Sequence, residues 1–306
     1  MSWSTGSRTW VRPLKAGYCV FDGKNLCFDL NLSIKDHPTP LLLKFNDHTT
    51  GHRFLAPQEL RPLTYQAYEA EMEKLFIMVD GEKRRRTIEE QVNSLCKEKV
   101  VKPRMDQKLL DEVVGLVEYP FAKMGSIQEE FMHLPPELLM TSMRVHQRYF
   151  ATEKSDGSLA PFFITIANVP GSDGGKTLME GNARVLKARL SDAAFFYDQD
   201  LKAGFTPWLS KLEKVVYHTK LGTTSQRMER IAKLAPLVAS NDQAPQLQQV
   251  AKYAKADLMS LMVNEFPELQ GIMGAYYGRQ HKLPEDLCQA ISDQYTPKGP
   301  EDPVPS

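Results

Sequence analysis

The run Met143-Arg144-Val145-His146-Gln147-Arg148-Tyr149-Phe150 places three basic side chains at every second position. On an extended strand alternate side chains share a face about 6.6 Å apart, so Arg144, His146 and Arg148 would form one short cationic stripe. Cations at that spacing suit phosphate contacts, and the rings of Tyr149 and Phe150 beside them suit base stacking. The alternative is a half-exposed surface strand whose arginines pair with neighbouring carboxylates, and pattern alone favours it. Local charge moves weight toward the first reading. Residues 144–233 carry 14 Lys or Arg against 9 Asp or Glu, in a chain whose 38 basic and 38 acidic residues cancel. Any polyanion-facing surface is therefore expected in this middle stretch.

Other basic residues sort differently. Arg184 and Lys187 stand one turn apart on a predicted helix over residues 180–200 and share a face. Arg189 falls beside Leu186, Ala193 and Phe196, so its stem is expected on the core and its guanidinium on a carboxylate such as Asp192. The block Lys83-Arg84-Arg85-Arg86 lies within a helical stretch, where such a run is more often a solvated face than a binding site. Between a strand and a helix, Pro170-Gly171-Ser172-Asp173-Gly174-Gly175-Lys176-Thr177 has the setting of a phosphate-binding loop but the wrong spacing. Three residues separate Gly171 from Gly175 where the motif needs four, and Pro170 occupies the glycine position while removing a backbone donor. A Gly-rich connection is the better reading.

No Ser or Cys occupies a nucleophile elbow, and the sequence holds no HExxH motif. Cys19, Cys27, Cys96 and Cys288 have no CxxC spacing, which excludes a zinc ribbon, argues against a disulfide framework and fits a reducing cytoplasm. No apolar run approaches the length of a bilayer crossing. Zero net charge supplies no global attraction to nucleic acid or an anionic membrane.

The elements that must position these residues read as α+β. Apolar runs at 18–21 and 26–30 flank Asp22-Gly23, a hairpin signal. Helix formers dominate 64–97. A second hairpin is predicted from Met143–Ala151 and Phe162–Val169 around Asp156-Gly157. Helices follow over 180–200, 225–239 and 244–264, divided near Gly204–Pro207, Asn241–Pro245 and Phe266-Pro267. The change from mixed structure to helix near residue 205 suggests a mixed domain over 1–205, a helical domain over 206–296 and a frayed Pro-rich tail over 297–306.

Eight stretches in fixed order carry a resemblance: Val11-Arg12-Pro13, Thr50 to Pro57, Gly115 to Pro120, Leu134-Pro135-Pro136-Glu137, Met143 to Phe150, Gly181 to Phe196, Lys220 to Thr223 and Glu265 to Gly271. Together they resemble the β subunit of the bacterial heterotetrameric glycyl-tRNA synthetases. The family subunit is longer at both ends, so the resemblance covers its middle.

The resemblance implies a first portion like the B3/B4 module of phenylalanyl-tRNA synthetase, followed by an incomplete HD-like helical domain. It also implies a chain without its own catalytic site or cofactor, because in this family ATP, Mg and glycine belong to the α subunit. The implied partners are that α subunit and glycine tRNA in an α2β2-like assembly, with no DNA and no membrane. Arg144, His146 and Arg148, backed by Arg53, Arg184 and Lys187, become the expected RNA-facing or interface groups. Two rivals accompany this reading. One is a subunit-interaction module with little RNA contact. The other is an HD-type phosphohydrolase, whose metal would need two imidazoles and two carboxylates. Here His218 and Asp257 stand at the matching positions, but Ala256 replaces the central histidine, which points to a degenerate site without metal.

Overall fold

The computed structural model describes residues 14, 16–32, 42–237, 244–297, 299–300, 302 and 304. Val11-Arg12-Pro13, residues 241–243 of the predicted break, the end of the helix predicted over 225–239 and half of the tail lie outside them. The fold is mixed α and β with small sheets, consistent with α+β. It divides into two compact units. One comprises Met1–Val100, Met105–Lys123 and Thr165–Lys176, the other Val101–Arg104, Met124–Ile164 and Thr177–Ser306.

In the first unit the Asp22-Gly23 signal closes a short hairpin. β2 (Val20–Phe21) pairs antiparallel with β3 (Lys24–Asn25), and both turn residues have positive φ, 50° and 69°. The predicted pairing of the flanking runs extends only to the Leu26 N–H on the Cys19 carbonyl at 2.9 Å, beyond which they separate. β5 (Leu42–Asn46) is inserted between them, parallel to β1 (Ala16–Tyr18) and antiparallel to β4 (Phe28–Asn31). β6 (Thr49–Thr50) and β7 (Glu59–Leu60) form a further small ladder.

The predicted helical stretch 64–97 is two helices. α1 (Tyr65–Lys74) is capped by Thr64, whose hydroxyl accepts the Ala67 N–H, and α2 (Gly81–Glu98) by Asp80, whose carboxylate accepts the Glu82 N–H. The residues between them, Leu75 to Val79, include Phe, Ile and Val, poor helix formers, and Phe76 has φ 58°. Ile88, Val92 and Cys96 at four-residue spacing bury one face of α2. α3 (Gln107–Leu116) buries Leu109, Leu110, Val113 and Val114.

The second unit is organised by a four-stranded sheet ordered β8 (Lys102–Arg104), β10 (Phe150–Glu153), β11 (Leu159–Ala167), β9 (Phe121–Ser126), the ends of β9 and β11 running into the first unit. α4 (Pro136–Thr141) lies between β9 and β10, and after β11 the chain passes through α5 (Lys176–Ala203) and α6 (Phe205–Leu212) to the hairpin of β12 (Val216–His218) and β13 (Gly222–Thr223). It ends in α7 (Thr224–Leu234), α8 (Ala244–Tyr253), α9 (Leu261–Glu265), α10 (Ile272–Gln280) and α11 (Glu285–Asp293).

The helix predicted over 244–264 is broken at residue 254, with a 3₁₀ turn at Ala256–Met259 and a fresh N-cap at Ser260. The core joins Phe163, Leu190, Trp208, Phe266 and Tyr277, so it draws on residues from both sides of position 205. Two buried carboxylates brace it. Asp200 on α5 accepts the Leu261 and Met262 N–H groups at 2.8 and 2.9 Å and the Tyr277 hydroxyl at 2.9 Å. Asp257 accepts the Gly271 N–H at 2.5 Å.

Candidate nucleic-acid interface

The structure corrects the geometry of the stripe expected at Arg144, His146 and Arg148. Leu138, Leu139, Ser142 and Met143 are all buried, a helical rather than an alternating spacing. With Pro136 favouring the first helical position, α4 runs straight into a π-helical segment over Ser142–Gln147. Arg148 ends it in the left-handed region, φ 59°, and the strand starts only at Phe150. The three side chains therefore do not share a strand face. Arg148 turns its guanidinium back onto the carbonyls of Val145 and Arg144, where a cation satisfies acceptors at a helical C-terminus. His146 stacks on Phe266 with ring centroids 5.2 Å apart, which leaves Arg144 as the exposed member.

Arg184 and Lys187 are brought together as expected. They line a groove of about 350 Å³ with Ser126, Gln128, Phe131 and Glu180. The field there is mixed, because the Lys187 ammonium stands 3.6 Å from Glu130. Arg189 does pair with a carboxylate, but Glu265 at 3.0 Å, since α9 supplies the acid across the core edge.

Arg53 lies in the first unit at the tip of a rigidly folded loop. His52 is completely buried, and its Nδ1 accepts the N–H groups of both Phe54 and Leu55 at 3.2 Å. Its Nε2 lies 3.6 Å from the Glu118 carboxylate. Gly51 is required, because a Cβ would stand 2.4 Å from the Ala56 carbonyl oxygen. This bracing drives the next two side chains outward. Phe54 is 75% exposed, and the Arg53 guanidinium sits 5.6 Å from its ring centroid. An exposed cation beside an exposed aromatic face is what single-stranded nucleic acid binds through phosphate and base. The sequence reading named Arg53 but missed Phe54. The available signal was a large ring in a short segment without apolar periodicity.

The remaining motifs are occupied internally. Gly171, Gly174 and Gly175 all have positive φ, Gly175 gives its N–H to Asp173, and Lys123 donates to the Gly174 carbonyl at 2.7 Å. Lys83 pairs with Glu73, Arg85 with Asp111, and Arg84 binds the carbonyls of Met78, Val79 and Val114. His218 is exposed and its Nδ1 accepts the Lys220 N–H, whereas Asp257 is buried among backbone donors. These two do not fit a divalent-cation site, and no group of three or more His, Cys, Asp or Glu able to hold a metal occurs among the described residues. No described helix is long and apolar enough to cross a membrane.

A family model of the glycyl-tRNA synthetase beta subunit matches residues 1–306, the full sequence. The chain belongs to that family. It is 41% identical over 313 residues to the glycine--tRNA ligase beta subunit of Paracoccus denitrificans, covering all of this chain and 44% of the relative. The beta subunits of Rhodospirillum centenum and Phenylobacterium zucineum are 39% and 42% identical, covering 100% and 98% of this chain and 46% and 44% of themselves. The chain thus spans less than half the length of these curated relatives.

Proposed function

We propose that this chain is a noncatalytic, tRNA-holding and scaffolding segment of a cytoplasmic glycine–tRNA ligase. It positions glycine tRNA while a separate α subunit uses ATP, Mg and glycine, and it binds no cofactor itself. On this reading residues 1–205 form a B3/B4-like module and 206–296 part of an HD-like scaffold, within an α2β2-like assembly. The observation that carries it is the Arg53–Phe54 tip, projected by the buried His52 in a member of a synthetase family. Phe54 would receive an unpaired base and Arg53 an adjacent phosphate, with Arg184 and Lys187 a second phosphate contact.

The test is binding of glycine tRNA across a salt series, with a noncognate tRNA as control. Arg53→Ala with Phe54→Ala should weaken binding, and loss of a phosphate contact should flatten the slope of log affinity on log salt by about one. Wild-type binding that the substitutions leave unchanged would remove the assignment. A second reading, a subunit-contact face, is favoured by Val185 and Phe195, which are exposed on α5. It predicts α-subunit binding that hardly changes with salt and is lost in Phe195→Ser.

A further inference from the structure

A second concave site is lined by none of these residues. The Asp22-Gly23 turn, the chain before α1 and the first turns of that helix enclose a cleft of about 680 Å³. Tyr18, Tyr65 and Tyr68 line it together with Asp22, and Val20, Pro62 and Leu63 give it apolar walls. Tyr18 is fixed, because its hydroxyl donates to the Pro62 carbonyl, while Tyr65 is 61% exposed.

The charged lining is of one sign, Asp22. No basic side chain lines the cleft among the described residues, and Lys24, next after the turn, is not part of the lining. Asp47, Glu71 and Arg61 all act on Tyr18, the two carboxylates more strongly than the guanidinium, which pairs with Asp47 at 2.6 Å; His48 lies 3.0 Å from the same carboxylate. Aromatic faces carry negative potential at their centres, so three tyrosines with a carboxylate attract an alkylammonium or guanidinium group and repel a phosphate. The apolar wall suits the methylene stem of the same side chain.

We propose that this cleft binds a lysine or arginine side chain presented by a partner protein, the head group among Tyr18, Tyr65, Tyr68 and Asp22 and the stem along Val20, Pro62 and Leu63. The site is independent of the RNA reading, and its failure would leave that reading standing.

Tyrosine-labelled whole chain is titrated with N-acetyl-lysine methylamide, N-acetyl-arginine methylamide, the norleucine counterpart and AMP, following the ring resonances by NMR. The cationic amides should shift the Tyr18, Tyr65 and Tyr68 signals, and the norleucine compound should bind at least about threefold more weakly. Tyr65→Ala and Asp22→Asn should each weaken the cations, whereas Tyr65→Phe should retain them, because the ring face and not the hydroxyl is used. Both positions are exposed, so these variants keep the fold. Equal binding of norleucine would make the cleft merely apolar. Preferential binding of AMP would make it a nucleotide site, and silence of all three rings would remove it; each overturns the proposal.

Discussion

Asp257 should make the chain more stable as the pH falls, against the usual trend for a carboxylate. Its side chain is completely buried, and that burial pushes its pKa from 3.8 up to about 6, despite the Gly271 and Gly274 amides and the Lys255 ammonium, which favour the charged form. A raised folded-state pKa means that the native state holds a proton the unfolded chain has released. The contribution is therefore fully present below about pH 4 and lost as pH rises through about 6. Two pH units of separation correspond to about 3 kcal/mol.

Asp257→Asn removes the titration while keeping an acceptor for the Gly271 N–H. Urea unfolding of both proteins between about pH 4 and pH 7.5 isolates the effect, since Asp200 and the surface carboxylates are common to both. The neighbouring groups are Lys255, Arg227 and Tyr295. Burial lowers Lys255 to about 8 and raises Tyr295 above the usual phenol range, so neither titrates appreciably below about pH 7. The variant should be the more stable at the upper end, with wild type recovering by about 3 kcal/mol at the lower. A difference that stays constant, or that moves the other way, refutes the placement of a charged carboxylate in this core.

The second buried carboxylate should behave differently on truncation. Asp200→Ala leaves two backbone N–H groups and the Tyr277 hydroxyl without their acceptor, and should cost at least about 3 kcal/mol in urea unfolding. Alkylation of the native chain should modify exposed Cys27 and spare Cys96, which is buried and has its thiol pushed up to about 11. Mass spectrometry of an iodoacetamide time course reads both.

Helices were legible where one face is continuously apolar and the ends are capped, as in α2 and α7, where Thr223 and Gln226 form a reciprocal cap. The 143–150 segment was misread because Val145, Tyr149 and Phe150 carry strand propensity, while the helical spacing of Leu138, Leu139, Ser142 and Met143 straddles the start of the run. The insertion of β5 between β1 and β4 had no local signal, since strand order is set by long-range pairing. That Arg184 and Lys187 line one groove was recoverable from helical spacing alone. The exposure of Arg53 and Phe54 was not, because it depends on His52 turning inward beneath a loop with no periodicity.

The acceptance of two α9 amides by Asp200, sixty-one and sixty-two residues earlier in the chain, has a kinetic consequence. A five-residue helix cannot persist alone in water, and here its first turn is held by α5. The Leu261 and Met262 protons should therefore not show the rapid fraying usual at helix ends. They should exchange with deuterium only when α5 and α9 come apart, and so report the opening of this unit's core.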